Sequence, residues 1–366
     1  MRARPKILFL TRKWPPAIGG MEVYARALVR ELETRADVDL RALPGRSDGK
    51  RPSAFAMLVF GIATAIDIIL KGTDADIVHG GDLAMWPLVF IATLRRRGIR
   101  AVLSAHGSDI SLGFKRGIAA KLYAYYLKLG VFLLPAAAVL ANSRATARLC
   151  RQCGFANVRV VPLATDVAEE DVPPPEPYIL FVGRLIPQKG CAWFIRNVLP
   201  LIDERLHLAV AAIVWDEDEE AALKHPRVRF HGPAFGEALR NLRARATAVI
   251  VPNLDMGIES FEGFGLTATE GAADGGVVLA SDLHGVADAV RHGATGFLLQ
   301  AGDAQGWAAK IHEVAAWTGG ERRSFIENSR AAVARIYSWP RVAEETLDAY
   351  RQTGEQPLAA PAVSKS

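Results

Sequence analysis

The feature that most constrains this chain is a strand–helix alternation that runs, stops at a proline-rich segment and starts again. In the first half, apolar runs at residues 6–10, 77–79, 101–104, 138–141 and 158–161 read as strands. Helical stretches at 23–33, 55–69, 87–97 and 144–150 lie between them. Runs that are apolar at nearly every position belong to strands covered on both faces, and their alternation with helices predicts a parallel sheet. Residues 165–177 are acidic and hold Pro173, Pro174, Pro175 and Pro177, a composition that makes a stiff linker. The pattern then resumes, with strands at 178–182, 206–213, 228–231, 248–251 and 276–280 and helices at 191–202, 238–245, 267–273 and 304–316. The expectation is an α/β chain of two Rossmann-like parallel-sheet domains, residues 1–165 and 178–337, joined by a linker at 166–177 and facing across a cleft. A closing helix within 338–353 is expected to pack back on the first domain, and 354–366 to be a disordered tail.

Composition narrows the function classes. A length of 366 residues suits two domains of the usual size, and half the residues are hydrophobic, enough for a core in each. No stretch is expected to supply the ~18 apolar residues of a membrane span. The longest apolar run, 129–141, is interrupted by Pro135. The first residues lead straight into a strand and do not read as a signal peptide, so cytoplasmic residence is expected. Three cysteines agree with a reducing compartment. Cys150 and Cys153 form a C-x-x-C without the second pair a zinc site needs, and Cys191 reads as a buried helix residue. A net charge of +5, with no basic run interleaved with aromatics in a nucleic-acid pattern, argues against a nucleic-acid partner. Basic residues do gather at 115–128, around Tyr123, Tyr125 and Tyr126. That segment is either a face for peripheral contact with an anionic membrane or a solvated helix face with tyrosines packed behind it.

Four segments sit where ligands of such sheets bind, outside the carboxyl ends of strands. Glu262-Gly-Phe-Gly-Leu-Thr-Ala-Thr-Glu270 places two carboxylates on either side of a glycine-rich loop that opens a helix. Gly263, Phe264, Gly265 and Leu266 offer backbone amides there, and the helix end attracts anions. Thr267 to Glu270 also matches a capping box, which would make Glu270 a helix cap. Gly183-Arg184-Leu-Ile-Pro-Gln-Lys189-Gly190 puts two cations on one loop, suited to a diphosphate. Gly19 and Gly20, followed by Glu22, precede the first helix, where glycine lets the backbone approach a ligand. Without the third glycine of the dinucleotide fingerprint this is not a dehydrogenase turn. His106, followed by Gly107, ends a strand and can donate to a sugar hydroxyl, while Asp109 either orients it or meets an acceptor. The Gly19 and Gly20 pair also fits a tight turn, and Glu22 also fits as a complement to the helix dipole.

Taken in order, these segments resemble glycosyltransferase family 4, of the GT-B fold, over nearly the whole chain. The family's Pro-Pro-x-x-Gly-Gly-x-Glu start, its Gly-Arg-x-x-Pro-x-Lys-Gly loop and its Glu-Gly-Phe-Gly-Leu-x-x-x-Glu segment are all present. Residues 337–351 resemble its closing helix. The resemblance implies that Glu262 and the amides of Phe264, Gly265, Leu266 and Thr267 bind the donor sugar and that Glu270 binds the ribose. It implies that Gly183, Arg184 and Lys189 hold the diphosphate, that Gly20 approaches the phosphate and that His106 contacts the donor sugar near the reacting carbon. Glu22 and Asp109 fall on the acceptor side. Three places depart from the pattern: Val214-Trp215-Asp216-Glu217 replaces a glycine-rich turn near the base, 253–260 is longer than usual, and Ala287-Asp288 replaces a late Pro-Glu.

The implied activity is a retaining hexosyl transfer from a nucleotide-sugar, UDP-hexose or GDP-mannose, to a glycan, lipid-linked or small-molecule acceptor. It needs no metal and no cofactor; no Asp-x-Asp metal motif and no metal-spaced His/Cys set are read in the chain. A lipid-linked acceptor would place the protein at the inner membrane face. A non-hydrolysing nucleotide-sugar epimerase shares the architecture, and a nucleotide-sugar-binding module that has lost catalysis is the alternative from a different class. A pyridoxal-phosphate phosphorylase would need a Schiff-base lysine, for which there is no clear candidate.

Overall fold

The computed structural model describes residues 4–17, 19–46 and 52–353. The expected tail at 354–366 lies outside the described residues. The chain divides into two compact units, one holding the residues up to Val161 together with those from Pro340, the other Pro162–Trp339.

In the first unit, β1 (Lys6–Trp14), β2 (Asp37–Pro44), β3 (Ile77–Gly80), β4 (Arg100–Ala105), β5 (Ala138–Ala141) and β6 (Asn157–Val160) form a parallel sheet in the order β2-β1-β3-β4-β5-β6. β3 and β5 are buried at every position, as strands covered on both faces must be. β2 was not expected from the sequence. Among the described residues it is an edge strand that pairs only with β1, so it alternates Asp37, Asp39 and Arg41 with Val38, Leu40 and Ala42 and never forms a continuous apolar run.

The second unit repeats the plan. β7 (Glu176–Leu185), β8 (His207–Val214), β9 (Val228–Phe230), β10 (Ala246–Val251), β11 (Val278–Ser281) and β12 (Phe297–Leu299) form a parallel sheet in the order β12-β11-β10-β7-β8-β9. Its core joins Phe181, Phe194, Leu208, Ile250 and the fully buried Trp307. The helix Gly319–Ile336, absent from the sequence reading, starts with a true capping box between Thr318 and Glu321. The proline-rich segment expected to be a linker is bonded along this unit. Thr165 N–H donates to Tyr337 O at 3.0 Å, Ala168 N–H to Ala273 O at 3.2 Å, and Arg330 to Glu170 O at 2.6 Å.

The closing helix Trp339–Gln352 belongs to the first unit and enters its core through a buried polar chain. The Tyr350 hydroxyl lies 2.6 Å from His79 Nδ1, His79 Nε2 lies 2.8 Å from Ser104 Oγ, and Ser104 lies 2.8 Å from the Tyr24 hydroxyl. A neutral imidazole, with one donor and one acceptor nitrogen, serves both hydroxyls. Burial pushes His79 down to about 3, and the nearby His106 adds to the lowering. Because the folded value lies below the unfolded value, this contribution is present above the ordinary histidine pKa of 6.5 and is lost as pH falls from there toward about 3. At ~1.4 kcal/mol per unit, the loss is about 5 kcal/mol over the whole window and about 3.5 kcal/mol by pH 4. Urea unfolding from pH 7 to 4 should show the N-terminal unit weakening by that order in wild type and much less in His79→Gln; equal slopes would refute the assignment.

One expectation about membranes is corrected. The helix Ala54–Lys71 has 18 residues and a mean hydropathy of 2.0, long and apolar enough to cross a bilayer, and only 11% of it is buried. From the sequence, residues 55–69 read as a helix between strands and 129–141 as the longest apolar run. Its ends, however, lead from β2 and into β3, which pair with the two edges of β1. Both ends therefore stay on one side of any membrane.

Candidate functional site

The carboxyl ends of β7 and β10 bring together two of the expected segments. After β7 the chain makes a short turn, Pro187–Lys189, and Gly190 then takes a left-handed φ of 71°. A Cβ at Gly190 would meet the Pro252 carbonyl oxygen at 2.0 Å, so only glycine lets this loop lie against the chain leaving β10. Leu254 N–H donates to Gln188 O at 3.0 Å and fixes the approach. The result is an ion pair: Lys189 Nζ donates to Glu262 Oε2 at 2.6 Å, with side chains 14% and 25% exposed. Loss of water pushes the Glu262 carboxyl up, but the Lys189 charge and hydrogen bond, with Arg184 and Asn253 behind them, outweigh it and hold the group below the usual carboxylate value. Glu262 is thus an anion anchored on a cation.

Gly183 and Arg184 do not lie on a loop, as the sequence suggested, but within β7, which runs on to Leu185 and pairs Arg184 with Ile213 of β8. The exposed Arg184 guanidinium sits over the Trp215 ring, 5.2 Å from its centroid. Trp215, at the end of β8, is 65% exposed. The departure from the family pattern at that point therefore sits directly against Arg184. Asn253 is a further residue the sequence reading did not single out. It is 2% exposed and contributes to lowering the Glu262 carboxyl, yet neither atom of its amide reaches hydrogen-bond geometry with a partner among the described residues. Its position, directly after the proline that ends β10, was the signal available.

The helix Leu266–Ala273 begins after Gly265, which has a left-handed φ of 86° and makes no side-chain cap. The capping box that Thr267 to Glu270 also matched does not form. Glu270 instead accepts from Arg243 at 2.5 Å, and Arg243 also donates to Asp274 at 2.8 Å. Arg243 is 5% exposed, whereas the Glu270 side chain keeps 38% of its surface open. A buried guanidinium thus steers a carboxylate that faces outward. Nothing in a single sequence marks Arg243, which sits on a charged helix, Gly236–Arg245, among other arginines. The Phe264 side chain is buried against Tyr337, whose hydroxyl donates to Asp288 O at 2.8 Å, so Phe264 offers a ligand only its main chain. The loop is closed by Gly285 N–H donating to Glu262 O at 3.1 Å.

In the first unit, His106 is 8% exposed and its Nε2 lies 3.0 Å from the Gly81 carbonyl, with the ring edge-on to Tyr24. Asp109 holds the backbone rather than the His106 ring. Its Oδ1 accepts from His106 N–H at 2.8 Å and its Oδ2 from Leu83 N–H at 3.2 Å, and burial pushes its carboxyl up. Both oxygens are engaged inside the fold, which leaves Asp109 a positioning group rather than an acceptor contact. Gly20 opens the helix Gly20–Glu33. Glu22 is 4% exposed, sits 3.9 Å from Lys13, and lies where a Cβ on Gly19 would meet its carboxylate at 2.5 Å. The close approach at Gly19 is therefore to Glu22 itself.

The metal reading also needs a correction at the level of the sequence. Three Asp-x-Asp triplets are present, at Asp37 and Asp39, Asp74 and Asp76, and Asp216 and Asp218. Asp39 pairs with Arg41, Asp74 with Lys6, Asp76 with Arg96, and Asp216 caps the helix Glu217–Ala222. Among the described residues no three of His, Cys, Asp and Glu converge on one point. Cys150 is buried, and burial pushes its thiol well up.

Comparison with known proteins adds the family. Residues 18–169 match the model described as Glycosyltransferase Family 4, and residues 176–316 the model described as Glycosyl transferases group 1. An uncharacterized glycosyltransferase of Methanocaldococcus jannaschii is 31% identical over 186 residues, 48% of this chain and 45% of that protein. A D-inositol 3-phosphate glycosyltransferase of Nocardia farcinica is 30% identical over 199 residues, 50% of this chain and 42% of that protein. The match thus spans less than half the length of these relatives. Among solved structures, Anabaena HepE in complex with UDP and glucose superposes with a TM-score of 0.69 at 18% identity, over 95% of this chain and 100% of that one. Sucrose-phosphate synthase from Thermosynechococcus elongatus gives 0.70 at 20% identity, over 96% and 99%. At such identities the structures speak for the fold, which is GT-B, two parallel α/β sheets of six strands each. With the two family models covering most of both units, the chain belongs to the family 4-like glycosyltransferases.

Proposed function

We propose that this protein transfers a hexose from a nucleotide-diphosphate sugar to a hydroxyl of a glycan or lipid-linked glycan, with retention and without a metal. The observation that carries the reading is the Lys189–Glu262 pair, with Arg184 close behind, beside the N-terminus of the Leu266–Ala273 helix. A diphosphate is suited to share Lys189 and Arg184, and the first-turn N–H groups of the helix suit its negative charge. Glu262, held ionised, would accept from sugar hydroxyls, and Glu270, steered by Arg243, from a ribose. The acceptor oxygen bonds to the anomeric carbon on the face from which the phosphate leaves, the bond to phosphate breaks, and a phosphate oxygen takes the acceptor proton. Preorganised cations of this kind stabilise the leaving group where its charge develops. UDP is favoured as the nucleotide because one structural neighbour, Anabaena HepE, is known in complex with UDP and with UDP-glucose.

Thermal shift against UDP, GDP and ADP and their sugars tests the donor. UDP should raise the melting temperature in proportion to its affinity and occupancy. No shift with any nucleotide would sink the reading. Incubating the stabilising donor alone separates the classes: an isomerised nucleotide-sugar without acceptor would indicate an epimerase, and binding without turnover across an acceptor panel would indicate an inactive module.

A further inference from the structure

We propose that the outward faces of the helices Ala54–Lys71 and Ile118–Leu133 form one apolar, cation-edged surface that seats the N-terminal unit on an anionic lipid bilayer. In the first helix Phe55, Leu58, Val59, Ile62, Ile66 and Ile69 recur at helical spacing, and each is 47–75% exposed. Its fully buried positions are only Thr64 and Ile68. The apolar stripe of a surface helix normally faces the core. Here it faces away. In the second helix Ile118, Leu122, Tyr125, Leu129 and Phe132 make a second stripe, 48–79% exposed. Tyr123 and Tyr126 turn inward and donate to Asp109 O and Ala84 O, so only Tyr125 of the three stays on the outer face.

The two stripes share a side of the sheet. The helices carry the crossovers from β2 to β3 and from β4 to β5, and both steps run the same way along the strand order. Right-handed crossovers in one direction place their helices on one face. The helix Trp86–Arg95 lies between them and packs against both, and its Leu94 is 66% exposed.

Charge decides the occupant. These three helices contain one carboxylate, Asp67, which is already paired with Lys71 and Arg41. Arg95, Lys121 and Lys128 are exposed along the apolar stripes. An apolar face with cations at its edge and no unpaired carboxylate suits anionic headgroups over acyl chains. A second copy of the same face would set like charges against each other. Spanning is ruled out by the pairing of β2 and β3 with one strand. The segment 115–128, which the sequence pointed to, is only part of one edge. This inference stands apart from the sugar reading.

Vesicle flotation of the full chain tests it, with phosphatidylcholine alone and with phosphatidylcholine mixed with phosphatidylglycerol. The protein should float with the mixed vesicles, far less with the neutral ones, and salt should weaken the binding. Leu58→Glu with Ile62→Glu, and separately Leu122→Glu with Phe132→Glu, should each lower partitioning by about tenfold or more, with an unchanged circular dichroism spectrum and unchanged UDP thermal shift. Lys121→Glu with Lys128→Glu should remove the preference for the anionic vesicles. No flotation with either composition, or equal flotation with both, would overturn the proposal. Self-association that these variants abolish, without vesicle binding, would overturn it in favour of a second copy. A normal UDP shift with no flotation would leave the sugar reading intact and sink this one alone.

Discussion

Alanine at both Arg184 and Lys189 should slow sugar transfer by about a thousandfold or more. Removal of one preorganised charge at a site of developing negative charge costs about a hundredfold or more in related settings, and two neighbours acting on one group do not simply add. The two residues should fail differently. Arg184 is exposed and held by Trp215, so its loss takes away charge and leaves the rest of the loop in place. Lys189 is the nearest cation to Glu262. Without it, the burial of Glu262 is opposed by the lesser contribution of Arg184, and the carboxyl rises. A rising carboxyl means Glu262 takes up a proton at higher pH, so the acid limb of kcat/KM in Lys189→Ala should move upward. In Arg184→Ala the move should be smaller, because Arg184 is the lesser contributor to the lowering. Glu262→Gln, which cannot titrate, should abolish the limb altogether. Transfer by the double variant within about threefold of wild type would remove both residues from the leaving-group role.

How much of this was legible in the sequence depends on where each residue sits. Central strands such as β3 and β5 are apolar at every position because both faces are covered, and they stand out in the chain. β2 carries the opposite signature: an edge strand alternates, and alternation beside a charged turn looks like a loop. Lys189 and Glu262 were found because glycines mark their loops, and Gly190 shows why, since its backbone touches Pro252. The capping-box alternative at Thr267 to Glu270 does not form, because such a spacing says nothing about a buried arginine 27 positions away. Arg243, Asn253 and Trp215 owe their roles to neighbours brought by the sheet order β10-β7-β8, and that order is not written in any local stretch. The apolar stripe of Ala54–Lys71 shows the same limit from the other side. Periodicity identified a helix with an apolar face, and the ordinary inference that such a face points inward is the part that fails.

Arg243→Ala should cost about 3–5 kcal/mol of stability in the C-terminal unit, the usual cost of stripping one partner from a buried ion pair. Asp274 explains the size. Its side chain is 9% exposed, and without Arg243 it is left as a charge that water reaches poorly. Glu270 adds little to that figure because it is 38% open to solvent, which screens it. Its part of the effect falls on binding. Freed from the guanidinium, Glu270 loses the bond that fixes its orientation, so affinity for a ribose-bearing nucleotide should fall even in molecules that remain folded. Arg243→Lys separates the two effects. A lysine keeps a positive charge near Asp274 but cannot fork to both carboxylates, so it should recover part of the stability and little of the nucleotide affinity. Urea denaturation reads the first quantity and UDP titration of the folded protein the second. If Arg243→Lys restored both together, or if Arg243→Ala bound UDP as tightly as wild type, Arg243 would be a structural anchor for Asp274 alone, and Glu270 would not need it to meet a ribose.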